Sequence, residues 1–224
     1  MLSHLTLGRS GREAGAVIDT LIVIATIVLA VVFLAMPLRS RRSSRAPRIN
    51  CVSNLKQAAL AARMWSNDHC DLFPWKVPMS SNGVLEFATS GDVAAIFRSM
   101  SNELNTSKVL TCPADSTRKR EPDFAKLRNK NISYFIGLDS NEAKLQTILF
   151  GDRNILGGLI GSNRVMTVTS TNRMLWGSDI HQNAGNVALS DGSAQQLSIS
   201  GLKRQFQFHI DTSGATNSPR FAFP

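Results

Sequence analysis

The stretch 20–38 carries no charged residue, and its centre, 21–36, is almost wholly aliphatic. With Ala16, Val17 and Ile18 the run offers about 20 apolar positions, and a helix of that length, rising ~1.5 Å per residue, reaches across a bilayer core. Its β-branched residues would suit a buried strand, but strands rarely exceed about ten residues. A secretory signal peptide is the next competitor. Its apolar core spans about 7–15 residues and ends in a small-x-small site, whereas this run ends in Met36, Pro37 and Leu38 followed by arginines. The expectation is a retained, single-pass transmembrane helix over 16–38. Asp19 sits near its head. A carboxylate there is costly unless paired, which makes it the first candidate functional residue.

A chain of 224 residues accommodates one sizeable domain beside such an anchor. The formal charge of +9 invites a nucleic-acid partner. Arg9 and Arg12 precede the apolar run, however, and Arg39, Arg41, Arg42, Arg45 and Arg48 follow it. Cations in those places meet anionic headgroups and set topology, so membrane lipid is the expected partner and nucleic acid is disfavoured. The three cysteines, Cys51, Cys70 and Cys112, form no C-x-x-C pair. Outside the cytoplasm the simplest arithmetic is one disulfide and one spare thiol; three buried free thiols are the alternative.

Beyond the apolar run, 39–48 reads as a basic collar, with Pro47 arguing for a break. Val52, Leu55, Ala59, Ala62 and Trp65 recur at helical spacing over 49–68. Val93, Ile96, Phe97, Met100 and Leu104 predict a second helix near 91–105, capped by Ser90 or Asp92. Residues 109–112 read as a short strand stopped by Pro113, and 132–136, 146–150 and 164–170 as further strands, with 174–176 a weaker one. The clearest signal is a hairpin: 186–190, then Asp191 and Gly192, then 193–199. Asp-Gly between such runs favours a tight turn because glycine supplies positive φ. A short helix is expected over 202–210 and a loop-like tail over 212–224.

The leader 1–15 is short, polar and basic, and ends in glycine. Together with the apolar run this resembles the N-terminus of type IV prepilins. The resemblance implies cleavage and methylation by a prepilin peptidase, with Asp19 neutralising a neighbour's amino terminus during assembly. Cutting between Gly15 and Ala16 puts Pro37 at mature position 22, where many pilin helices carry proline, but puts Asp19 at position four. Cutting after Ala14 places Asp19 at the usual position five and displaces the proline by one. An uncleaved signal anchor is the alternative. A second resemblance is to a branch of prepilin-like, type II secretion pseudopilin-like proteins marked by histidine, nine residues, then Asp-Gly. Here these are His181, Asp191 and Gly192. The same branch is similar around Cys51 (48–57), Cys112 (110–115), Tyr134 (133–139) and Asp152 (151–154).

The resemblance implies an α+β, pilin-like fold: a long N-terminal transmembrane helix, then a globular head whose antiparallel sheet packs on helix. The expected organisation is leader 1–15, transmembrane and assembly helix 16–38, collar 39–48 and exported head 49–224. The implied function is that of a filament subunit without enzymatic activity, placed in a bacterial inner membrane with the N-terminus cytoplasmic and the head exported. Implied partners are copies of itself, other pilin-like subunits, the prepilin peptidase and an inner-membrane assembly platform. Cys51 and Cys112, each inside a family-like motif, are the expected disulfide. No cofactor is expected; calcium, through Asp179, Asn183 and Asp191, is the one left open. His181 and Asp191 suggest half a catalytic triad, but no nucleophile elbow accompanies them, and a structural hydrogen bond between the two is the expectation. For zinc, His181, His209 and Cys70 have no ligand spacing. The competing function is a membrane-anchored minor pilin whose basic head, around Arg118, Lys119 and Arg120, captures DNA or acidic polysaccharide.

Overall fold

A computed structural model describes residues 10–168, 170–214 and 218–224, with the side chains of 10–17, 34–46 and 172 outside the description. Most of the leader, residues 1–9, therefore lies outside the described residues. Two compact units result, Met1–Arg45 and Ala46–Pro224. Helix α1 is assigned over Ser10–Asn67.

In the first unit the backbones of Gly15, Ala16, Asp19 and Pro37 all fall within α1. The large apolar side chains from Ile18 to Phe33 are all solvent-exposed, from 47% at Val32 to 73% at Phe33. Among the described residues no helix is long and apolar enough to cross a membrane. An all-round apolar helix has to be covered, but apolarity alone does not make lipid the cover. This overturns the transmembrane helix over 16–38, and with it the fold class built on a membrane-spanning helix and the single-pass inner-membrane placement.

The second unit is a layered α+β head. The C-terminal part of α1 enters it without the break expected at Pro47, which is helical; a proline removes one backbone hydrogen bond and a helix can absorb that loss as a bend. Its Cys51, Leu55, Ala58, Ala59, Ala62 and Trp65 stripe is buried, as three- and four-residue spacing requires. Helix α2 (Leu85–Thr89) follows, then α3 (Val93–Ser99), capped by the Asp92 carboxylate accepting from Ala95 N at 3.0 Å, and α4 (Ser101–Leu104). Residues 107–110 form a 3-10 turn and not the expected strand.

Seven strands make one sheet in the order β4-β5-β9-β1-β2-β7-β8, every pairing antiparallel. They are β1 (Tyr134–Gly137), β2 (Ile148–Asp152), β4 (Leu159–Ile160), β5 (Val165–Thr167), β7 (Gly185–Leu189), β8 (Ala194–Leu197) and β9 (Arg220–Ala222). A separate two-stranded ribbon pairs β3 (Ile155–Leu156) with β6 (Leu175–Trp176). The β7–β8 hairpin turns at Asp191 and Gly192, the latter at φ +84°. Strand β9 lies in the tail expected to be loop, yet it sits inside the sheet between β5 and β1. Helix α5 (Ile199–Ser213) extends beyond the expected 202–210, capped by the Ser198 hydroxyl and ended by Gly214 at φ +74°.

Strand residues alternate between two cores. Tyr134, Ile136, Phe150, Ala188 and Ala222 face α1 and α3. Phe135, Ile148, Met166, Val187, Leu189 and Phe221 face Leu202 and Phe206 of α5. A bulge between Ile148 and Phe150 interrupts the alternation in β2. The sheet is thus covered on both faces, with α1 on one and α5 on the other.

Candidate functional site

At the end of β2, on the face towards α1, a polar cluster is closed inside the core. Cys51 comes from α1, Cys112 from the segment after the 3-10 turn, Asp152 from β2, Asn186 from β7 and His181 from the loop before β7. Cys51 and Cys112 are bonded to each other, with Cα atoms 5.1 Å apart, and both are buried. His181 Nε2 lies 3.4 Å from Cys112 Sγ and 3.5 Å from Asp152 Oδ2. His181 Nε2 thus faces both a sulfur and a carboxylate oxygen. Asp152 Oδ2 also accepts from the backbone N–H of Asn186 at 2.7 Å and from its Nδ2 at 2.9 Å. Asp152 Oδ1 is buried with no protein partner.

Two groups this deep resist charging, for one reason. Burial pushes the Asp152 carboxyl up to about 7, against the opposing pull of its two bonds from Asn186. Burial pushes His181 down to about 4, helped by the Arg48 guanidinium nearby. Opposite Asp152 in the β1–β2 ladder stands Tyr134, whose phenol is raised well above its ordinary value by burial and then by the Asp152 charge.

The loop carrying His181 is held in an uncommon shape. His181, Gln182 and Asn183 have φ of +60°, +53° and +62°, a left-handed turn that side-chain-bearing residues adopt at a cost. Asn154 Nδ2 pins it by donating to the carbonyls of Gly177 (2.9 Å), Ile180 (2.8 Å) and Ala184 (3.2 Å). Arg48 Nη2 donates to the His181 carbonyl at 2.5 Å. Alongside, Arg153 grips Asp115 with two bonds of 2.7 and 2.8 Å. Burial tends to raise the Asp115 carboxyl, but Arg153 and Thr117 outweigh it and hold the group below its ordinary range.

Arg48, Cys51, Cys112, Asp115, Tyr134, Asp152, Arg153, Asn154 and His181 are the residues of five short sequence motifs, and folding gathers them into this one place. Asp191 is not among them. Its Oδ1 accepts from Ser193 N at 2.8 Å at the hairpin tip, so the expected His181–Asp191 bond is replaced by His181 contacts to Cys112 and Asp152. The sequence places Asp152 in a family-like stretch (151–154) and Asn186 in a hairpin strand, but gives neither a role in the site. Among the described residues, the His, Cys, Asp and Glu groups close enough to hold a metal are Cys51, Cys112 and His181, within 4.8 Å of one another. The Cys70, His181 and His209 combination is not gathered among the described residues. Cys70 is an exposed free thiol, and His209 lies under the sheet with Nδ1 accepting from Ile148 N at 2.9 Å.

Chemically the cluster holds an imidazole, a carboxyl and a disulfide, and both cysteines are closed to solvent. A second feature is on the surface. A cavity of about 610 Å³ is lined by Lys119, Arg120, Lys126, Arg128 and Lys130, with Glu121 as its one acid. Arg118, expected to join it, turns inward and donates to the carbonyls of Asn129 (3.3 Å) and Pro224 (3.4 Å).

Comparison with protein-family models, curated proteins and solved structures finds no match. With no family support and no membrane-capable helix among the described residues, the assignment to membrane-inserted type II secretion pseudopilins is corrected.

Proposed function

We propose that this chain is a structural subunit that builds a filament with copies of itself, through its N-terminal helix, and that it performs no catalysis. The observation that carries this reading is the apolar surface of α1 between Ile18 and Phe33, exposed on every side. A helix apolar all round has to be covered, and patches of this extent mark interaction sites. Identical helices packed side by side cover one another. Asp19 then lies among apolar neighbours, where its charge is tolerable only beside a partner's cation, and the amino terminus freed by cleavage near Gly15 and Ala16 supplies one. The head contributes a sheet covered on both faces and stapled to α1 by Cys51–Cys112, a rigid body suited to repetition.

The test is assembly of the purified chain cleaved to begin at Ala16, followed by sedimentation and negative-stain microscopy. Regular filaments are expected, and Leu29→Lys, which plants a charge on the exposed stripe, abolishes them while leaving the circular dichroism of the head unchanged. A chain that stays monomeric at high concentration, or assembles equally well as Leu29→Lys, refutes the reading.

A second reading, capture of a polyanion by the head, has the Lys119–Arg120–Lys126–Arg128–Lys130 cavity in its favour. Its signature is binding of a DNA or acidic polysaccharide probe that weakens steeply with salt. Retained affinity in Arg128→Ala/Lys130→Ala sinks it.

A further inference from the structure

The buried cluster, independent of the assembly reading, has the donor set of a metal centre. We propose that when the Cys51–Cys112 bond is reduced, the chain binds one zinc ion through Cys51 Sγ, Cys112 Sγ, His181 Nε2 and Asp152 Oδ2, so that the disulfide and the metal are alternative staples at one site.

Two of the ligand–ligand distances already match a tetrahedral site. In a tetrahedral zinc site with ordinary bond lengths, a sulfur and a nitrogen ligand stand about 3.5 Å apart, and a nitrogen and an oxygen about 3.3 Å. Cys112 Sγ to His181 Nε2 is 3.4 Å and His181 Nε2 to Asp152 Oδ2 is 3.5 Å. Cys51 Sγ, Cys112 Sγ and His181 Nε2 already lie within 4.8 Å of one another; the two sulfurs must separate to about 3.8 Å, and the Asp152 carboxylate must close on them as they part. Two thiolates with an imidazole and a carboxylate suit zinc better than the all-oxygen preference of calcium or magnesium. The charge also balances. Two thiolates, one carboxylate and one zinc ion leave a single negative charge, and the Arg48 guanidinium sits on the His181 carbonyl. The outer contacts that orient ligands in metal sites are present before any metal arrives. Asn186 fixes the Asp152 carboxylate with two bonds, and Asn154 and Arg48 fix the His181 loop. Asp152 Oδ1, buried and unpartnered, is accounted for as part of a carboxylate that faces a cation.

The chemistry closes. A dithiol reductant passes two electrons and two protons to the Cys51–Cys112 bond, which breaks to give two thiols while the reductant becomes a disulfide. Zinc then forms two S–Zn bonds, and both thiol protons leave to solvent. His181 binds through the Nε2 lone pair, with its proton on Nδ1.

The experiment uses the full-length chain carrying Cys70→Ser, which removes the exposed thiol. It is reduced with a phosphine, which ends as its oxide with oxygen from water, and titrated with cobalt(II) as a spectroscopic stand-in for zinc. The expected result is one equivalent of tetrahedral, thiolate-bound cobalt per reduced chain and none per oxidised chain, with zinc displacing it stoichiometrically. His181→Ala weakens binding at least tenfold. Mass mapping of alkylated thiols gives a readout that needs no variant: zinc protects Cys51 and Cys112 from iodoacetamide in the reduced wild-type background. A reduced chain that loses its fold and regains it on adding zinc also supports the proposal. Absence of a tetrahedral cobalt spectrum, equal alkylation with and without zinc, or a reduced chain that zinc fails to refold overturns it.

Discussion

Removal of the Cys51–Cys112 bond tests how much of the head's stability comes from tying α1 to the rest of the fold. The bond closes a loop across 61 positions. The chain entropy that such a crosslink takes from the unfolded state corresponds to about 4 kcal/mol at 25 °C. Both sulfurs are buried, so Cys51→Ala/Cys112→Ala also leaves space where two large atoms packed, and the loss should not fall below that figure. The assay is urea unfolding of the full-length chain in the Cys70→Ser background, without added metal, at a concentration too low for assembly. With a slope of about 2 kcal/mol per molar, the midpoint should drop by roughly 2 M. The slope itself should rise, because the uncrosslinked unfolded chain exposes more surface. A loss below about 1 kcal/mol at unchanged slope would mean that packing of the α1 stripe alone holds the helix on the sheet, and would refute the entropic account.

Asp115→Ala leaves Arg153 without its double contact in a largely closed site, where only 16% of its side chain meets solvent; a loss of about 3 kcal/mol is expected in the same unfolding assay. Asn154→Ala removes all three bonds that pin the left-handed turn, and should cost about 2 kcal/mol and speed amide exchange at 177–184 above that of the rest of the head. His209, fully buried and pushed by burial down to about 4, is neutral in the folded chain, whereas the unfolded chain takes a proton near pH 6.5. Its contribution is complete above pH 6.5 and is lost as pH falls through 4, by up to about 3 kcal/mol. His209→Asn, whose Oδ1 can accept from Ile148 N, should flatten the difference in stability between pH 7 and pH 4; an unchanged pH profile counts against the assignment.

Local signals carried much of the head. The stripe of α1, the Asp92 cap of α3 and the Asp191–Gly192 turn each depend on neighbours a few residues away, and each is visible in sequence. Strand β9 was not, because Phe221 and Ala222 are too short a run to announce a strand; partners on both sides, β5 and β1, make them one. The 109–112 segment shows the converse. Its apolar residues suit a strand, but Val109 and Leu110 face the same core through a 3-10 turn, and Thr111 Oγ1 donates to the Asn131 carbonyl. At the N-terminus the aliphatic run was legible as a helix, while its use as a membrane span was not, since apolarity alone does not say whether lipid or another protein surface covers a helix. The site was legible only in pieces. His181 and the two cysteines stood out as residue types, but the partner of His181 was assigned by nearness in sequence to Asp191, when the sheet brings Asp152 to it from 29 positions away.

That substitution of partners separates the two halves of the molecule's work. An Asp191 at a solvent-facing turn would have placed His181 near the surface, where a substrate could reach it. Asp152 draws it inward, against a disulfide closed off by α1 and beneath a loop held by Asn154 and Arg48. A group so enclosed acts on the chain itself, by fixing a turn that the backbone alone disfavours and by setting what may join Cys51 to Cys112. Contact with other molecules then falls to surfaces the core leaves open. An apolar surface of that kind among the described residues is α1 from Ile18 to Phe33. Substitutions there should therefore change assembly at constant head stability, and substitutions in the cluster should do the reverse.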